Sequence, residues 1–279
     1  GASVDEAHAI AREAGNAAQP QPGSEEFEEL AQRFRNLPIS EGGAKFLDTS
    51  ALYHAEGLYN FSEMIDPEVV EVLVGGNFRR QALESEGTLF ALQDNGDEFS
   101  INEFGAYTQL SRSLIDGRLD LQGSLRYDKN ENFDGQISPR LSAVYSLFDN
   151  HNLRASFQSG FRIPTNQDQY IDLDVVTRRL VGANPVLVDR YNFETNTVYL
   201  TESVENARQL LAEGEDLNSA RAVLQPVEFE EFKTEKVNSY EIGYKALVAN
   251  RLYIDAYYYY SVYRDFLAEI DFVQGVPNG

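Results

Sequence analysis

Ser111-Arg112-Ser113-Leu114-Ile115-Asp116-Gly117-Arg118-Leu119-Asp120-Leu121-Gln122-Gly123-Ser124-Leu125-Arg126-Tyr127 reads as two β-strands joined by a hairpin. Asp116-Gly117 is a favoured pair for a two-residue hairpin loop, because both central residues of such a turn need positive φ. Beyond the turn, Leu119, Leu121, Gly123, Leu125 and Tyr127 alternate with Asp120, Gln122, Ser124 and Arg126. Successive strand residues point to opposite faces, so this strand has one apolar and one polar face. A helix would scatter the same two sets around its circumference.

The same period of two extends outward in both directions. It predicts about eight strands, near 51–62, 68–80, 101–115, 118–127, 137–148, 152–161, 236–248 and 251–264. In 152–161, Leu153, Ala155, Phe157 and Phe161 oppose Asn152, Arg154, Ser156 and Gln158. In 236–248, Tyr240, Ile242, Tyr244, Ala246 and Val248 oppose Ser239, Glu241, Gly243 and Lys245. The links alternate in length. Asp116-Gly117, Asp149-Asn150-His151 and Ala249-Asn250 are tight, whereas 81–100, 128–136 and 162–235 are long. In a meander, alternate links fall at opposite ends of the sheet, so the short turns share one end and the long loops the other. An up-and-down transmembrane β-barrel has this plan, with short periplasmic turns and long extracellular loops. The polar face, with Arg126, Arg140, Arg154, Glu241 and Lys245, suits a wet lumen. Tyr257-Tyr258-Tyr259-Tyr260 and Tyr263 suit an interfacial aromatic girdle. A soluble antiparallel domain with an apolar core would show the same alternation.

Helical segments flank the strands. Residues 1–50 read as an extracellular loop region with short helices, at Val4–Ala14 and at Glu25–Arg35 behind the cap Ser24. Residues 51–279 read as the barrel segment. Within it, the long extracellular loop 162–235 carries two helical stretches, Thr201–Ala212 and Leu217–Leu224.

Composition narrows the function. The chain of 279 residues has no Cys, so it has no disulfide scaffold, thiolate site or Cys nucleophile. Its three histidines, His8, His54 and His151, are far apart, and no His metal cluster is expected. With 45 acidic against 23 basic residues the net charge is −22, which argues against nucleic acid as a partner. There is no apolar run long enough for a transmembrane helix, which leaves a barrel open. Gly1 to Asp5 have neither a basic nor an apolar signal region, so a leader has been removed or the chain starts inside a longer one. Asp128, Asn130, Asn132 and Asp134 resemble part of a calcium loop, but Phe133 stands where that loop needs glycine. Paired carboxylates, a Ser-His-Asp set and a phosphate loop are all missing from the pattern, and neither an enzyme nor a cofactor is expected.

Two blocks carry a family resemblance. Ile137 to Thr165 runs from Pro139-Arg140 through a tight turn to Gly160-Phe161-Arg162-Ile163-Pro164, and Glu235 to Lys245 reads Glu-Lys-Val-Asn-Ser-Tyr-Glu-Ile-Gly-Tyr-Lys. Both resemble barrel strands of TonB-dependent receptors. Tyr127 to Phe133 and Asn166 to Tyr170 resemble the variety found in Bacteroidota. The resemblance spans about 65–272. It implies a barrel of roughly 22 strands, an N-terminal plug, and energy-coupled import of a scarce nutrient across the bacterial outer membrane. It also implies the TonB–ExbB–ExbD complex as partner, acting through the plug, with a surface lipoprotein as a further possible partner. No plug or TonB box is recognisable here, so the chain reads as a partial barrel. A passive porin, or a soluble β-domain that binds glycans or proteins, is the alternative.

The expected ligand-binding residues lie where the long loop leaves the barrel. Arg162 stands at the rim. Asn166, Gln167, Asp168 and Tyr170 offer amide, carboxylate and aromatic groups, and Arg178 and Arg179 add positive charge. Loops held on a rigid scaffold carry function disproportionately.

Overall fold

The computed structural model describes residues 4–17, 19–175 and 177–275. Eight strands form one antiparallel sheet in the order β1-β2-β3-β4-β5-β6-β10-β11. They are β1 (Ala51–Asn60), β2 (Glu71–Ala82), β3 (Ser100–Leu114), β4 (Leu119–Asn130), β5 (Gln136–Phe148), β6 (His151–Arg162), β10 (Glu235–Val248) and β11 (Leu252–Arg264). Among the described residues β1 and β11 do not pair with each other, so the sheet is open.

Turn chemistry sets one end of the sheet. The links 115–118, 149–150 and 249–251 are tight, and all use positive φ. The first is longer than the expected Asp-Gly pair. Leu114 pairs with Leu119, and Ile115 joins Asp116 and Gly117 at positive φ. At the other end, the link expected at 128–136 shortens to 131–135, because β4 runs on to Asn130. There the Asn130 amide donates to Glu103 of β3, which extends the ladder beyond the apolar pattern.

Register puts like on like. Leu121, Ala143, Ala155 and Ile242 stand level across four strands, as do Gly123, Leu141, Phe157 and Tyr240 one step along. Among the described residues this apolar face is left uncovered: Leu141 is 60% exposed and Ile242 59%. The buried core lies elsewhere, at the end with the long links. Leu83, Leu89, Phe90, Ile101 and Tyr170 pack together there, with Phe99, Ile171 and Leu173 against them.

Leu83, Leu89 and Phe90 come from the link between β2 and β3 and Ile101 from β3, while Tyr170, Ile171 and Leu173 come from the excursion between β6 and β10. The excursion contains α3 (Asn166–Tyr170), the hairpin β7 (Asp172–Asp174) and β8 (Arg179–Val181), α4 (Pro185–Arg190), β9 (Val198–Leu200), α5 (Thr201–Ala212) and α6 (Leu217–Ala222). A last strand, β12 (Phe272–Gln274), pairs with β9. Ahead of the sheet stand α1 (Val4–Ala17) and α2 (Glu25–Asn36), the latter capped by Ser24, which accepts from the Phe27 N–H.

Candidate functional site

The polar face of the sheet is built by letting large side chains lie over glycines. Tyr107 of β3 stands opposite Gly75 of β2, and Arg154 of β6 opposite Gly243 of β10. At Gly105 a Cβ would collide with Asp128, Arg126 and Asn77 at 2.5–2.7 Å. The missing side chains leave room for ion pairs and hydrogen bonds to lie flat on this face, within and across strands. Arg126 donates to Asp128 at 2.6 Å and to Asn77 at 2.7 Å, with its guanidinium 5.5 Å from the Tyr107 ring centre. Arg154 lies between Glu241 and Asp255, at 3.0 and 3.6 Å, over the Tyr257 ring. Its Nε is close to Glu241 but not aligned for a hydrogen bond.

Where this face meets the excursion there is a cleft of about 540 Å³. Strands β2, β3 and β4 supply Asn77, Arg79, Gln81, Glu103 and Asp128, and the end of β6 with α3 supplies Arg162 and Asn166. Helix α3 is fixed in place locally by a capping box: Thr165 accepts from the Asp168 N–H, and Asp168 accepts from the Thr165 N–H. The Asn166 amide then donates to Gln81 at 2.7 Å, and Gln81 donates to Glu103 at 3.1 Å. The charges lining the cleft are mostly matched. Asp128 holds Arg126, Arg162 holds Glu235 at 2.7 Å, and Glu103 accepts two amides. Arg79 is exposed and has no hydrogen bond or ion pair among the described residues. A donor fork of this shape matches a carboxylate or phosphate.

The seven residues expected from the sequence separate into groups. Arg162 and Asn166 line the cleft. Gln167 and Asp168 are exposed on α3 beside it. Tyr170 is only 4% exposed and packs into the core with the β2–β3 link, its ring 4.5 Å from Phe99 and its hydroxyl accepting from Asn132 at 2.8 Å. Burial pushes the Tyr170 phenol above its ordinary value. Arg178 pairs with Asp271 at 3.2 Å. Arg179 pairs with Asp172 at 2.6 Å, and that partner raises its pKa. Tyr191 donates to the same Asp172 carboxylate, and burial followed by this bond pushes its phenol up to about 12.

Asn77, Arg79, Gln81 and Glu103 were not singled out by the sequence, and Asp128 was noted only as part of a calcium-like loop. They sit at ordinary polar positions of alternating strands, and only the register of three strands with α3 gathers them. The Asp128 to Asp134 segment is likewise taken up internally: Asp128 by Arg126, Asn130 by Glu103, and Asn132 by Gln169 and Tyr170.

Residues 20–278 match the family described as TonB dependent receptor-like, beta-barrel. The vitamin B12 transporter BtuB of Vibrio vulnificus (strain CMCP6) is 26% identical over 140 residues, which is 49% of this chain and 22% of the transporter. A variant of the ferric enterobactin receptor PfeA of Pseudomonas aeruginosa has a similar fold, with a TM-score of 0.50 at 15% identity over 78% of this chain and 27% of that receptor. The siderophore receptor PirA of Pseudomonas aeruginosa gives 0.43 at 16% identity, over 72% and 30%. The chain therefore spans between 22% and 30% of the length of these relatives.

Proposed function

Because the chain belongs to the TonB dependent receptor-like β-barrel family, we propose that it forms part of the wall and mouth of an importer for a scarce nutrient in a bacterial outer membrane. The family is one of receptors and not of enzymes, and the chain is accordingly not an enzyme. The uncovered apolar face supports the membrane reading, since a soluble domain of this kind would bury it. On this reading lipid covers that face, the polar face lines the lumen, and the long-link end is extracellular. The strands belong to a larger barrel of the Bacteroidota variety, roughly 22-stranded. Energy arrives from TonB–ExbB–ExbD through a plug.

The observation that carries this reading is the cleft with its unmatched Arg79. Arg79, Arg162, Asn77, Gln81 and Asn166 supply donors to a small polar nutrient, and Glu103 supplies an acceptor. Gln167, Asp168, Arg178 and Arg179 form the rim contributed by the excursion 162–235. Tyr170 holds α3 from beneath. Two of the relatives are a vitamin B12 transporter and a ferric enterobactin receptor by name, so both nutrients are natural first probes.

The test uses the full-length protein in cells that depend on it for cyanocobalamin or for iron from ferric enterobactin. Growth should require TonB with one of the two. Arg79→Ala should raise the nutrient concentration needed at least tenfold without changing the amount of folded receptor. Growth independent of TonB would favour a porin. If a receptor with 172–230 replaced by a Gly/Ser linker assembles and imports normally, the excursion is a shield or a seat for a surface lipoprotein.

A further inference from the structure

The apolar face carries a groove of about 590 Å³ that import does not use. Its floor is Gly123, Ala143 and Ala155, and its walls are Leu110, Leu121, Leu141 and Phe157. Register creates it. Gly123 stands between Leu110 and Leu141, and the neighbouring level places Ala143 beside Ala155. The small residues form a lane across three strands. Arg112 lies at the margin, opposite Leu121 and near the 115–118 turn. It is exposed on the apolar face and has no hydrogen bond or ion pair among the described residues.

We infer that this groove is a binding site for one phospholipid, with an acyl chain in the Gly123 lane and the phosphate on Arg112. A guanidinium on a lipid-facing surface is tolerated near the interface and costly towards the midplane. It therefore needs an anion at headgroup depth, and its planar fork matches phosphate oxygens. The groove supplies the other half of the lipid's chemistry, an apolar channel that ends at that cation. Arg112 is on the side of the short turns, which the proposed orientation turns towards the periplasm, so the occupant comes from the inner leaflet. The inference rests on reading the apolar face as lipid-facing, and heat-modifiable migration in unboiled gels tests that premise separately.

The experiment is native mass spectrometry of the full-length receptor in detergent, with dioleoylphosphatidylglycerol added as the probe. Arg112→Ala and Gly123→Leu are compared with the parent and with Arg80→Ala, a change to an exposed arginine near the opposite end of the apolar face. A Cβ at Gly123 would meet only the flexible Leu141 side chain, at 3.3 Å, which must give by a few tenths of an ångström as the new side chain fills the lane. The parent and Arg80→Ala should retain one phospholipid. Arg112→Ala and Gly123→Leu should each lower its occupancy at least fivefold while still migrating as folded barrels. Equal retention by folded parent and Arg112→Ala overturns the site, and so does retention of lipopolysaccharide in place of phospholipid. Because Arg112 is at the surface, its variant keeps the test open even if Gly123→Leu does not fold.

Discussion

The ring of Tyr107 lies over Gly75 of the neighbouring strand, so close that a β-carbon at Gly75 would fall 2.5 Å from the ring's Cζ. Arg126 stands over the same ring and holds Asp128 and Asn77. Gly75 thus sets the height of a tyrosine–arginine layer across three strands. Gly75→Ala should lower stability by about 1–3 kcal/mol, the usual cost of overpacking. Shortening the ring as well, in Gly75→Ala with Tyr107→Ala, should recover part of that loss. Urea unfolding of the receptor in micelles measures both. A wild-type midpoint for Gly75→Ala would mean that the ring is free to move.

The two faces should respond oppositely to charge. Leu125 and Ile242 are on the apolar face, Gln122 and Ser156 on the polar one. Leu125→Arg or Ile242→Arg should cost roughly 2–4 kcal/mol if its depth is near the bilayer midplane. Gln122→Arg and Ser156→Arg should cost much less. Folding yield into phospholipid vesicles reads the difference, and equal damage from all four would refute a lipid-facing side.

Strand direction makes a topological prediction. Protease-cleavable tags at Asp116-Gly117 and at Ala249-Asn250 should be protected on intact cells, because both are on the short-turn end. A tag near Glu213, between α5 and α6, should be cut. Cleavage at the 116 site on intact cells would invert the proposed orientation.

Within the excursion, the end of β8 approaches α3 closely through the backbone at Gly182. A β-carbon at Gly182 would fall 2.3 Å from the Gln169 carbonyl oxygen, which, being backbone, has little freedom to yield. Gly182→Ala should push α3 away from β8 and weaken the Asn166–Gln81 bond. Limited proteolysis should then cut within 163–234 faster, while the barrel still migrates as folded. Unchanged protection would show that α3 is held some other way.

Alkaline pH should loosen the same region. Tyr191 is an acid whose folded-state pKa is raised from 10.0 to about 12. The folded form therefore favours the neutral phenol. Its stabilising contribution is complete below pH 10 and is lost as pH rises through 10 to about 12. Proteolytic protection of the excursion should fall across that window, and Tyr191→Phe should flatten the fall. A Tyr191→Phe profile that matches the parent's would place the titration elsewhere.

Strand phase was legible because it is local. Leu121 against Gln122, or Leu153 against Arg154, declares its face by alternation alone, and positive-φ turn residues mark where the chain reverses. Composition predicted helices at 201–212 and 217–224, and the structure has them at 201–212 and 217–222; the start of α2 behind Ser24 was likewise expected. Strand ends were less legible: Asn130 extends β4 with a hydrogen bond from its side-chain amide to Glu103, a contact outside any apolar pattern.

By itself, then, the sequence determined which residues share a face, which links are tight, and that the chain is an antiparallel meander, since a period of two and a turn residue act over neighbours only. The tertiary structure decided which polar groups meet. It turned Tyr170 into the core, paired Arg178 and Arg179 with Asp271 and Asp172, and left Arg79 unmatched in a cleft walled by β2, β3, β4 and α3. Those outcomes depend on register between strands and on how a long excursion folds back onto them. Such contacts join residues far apart in the chain, and no local pattern encodes them.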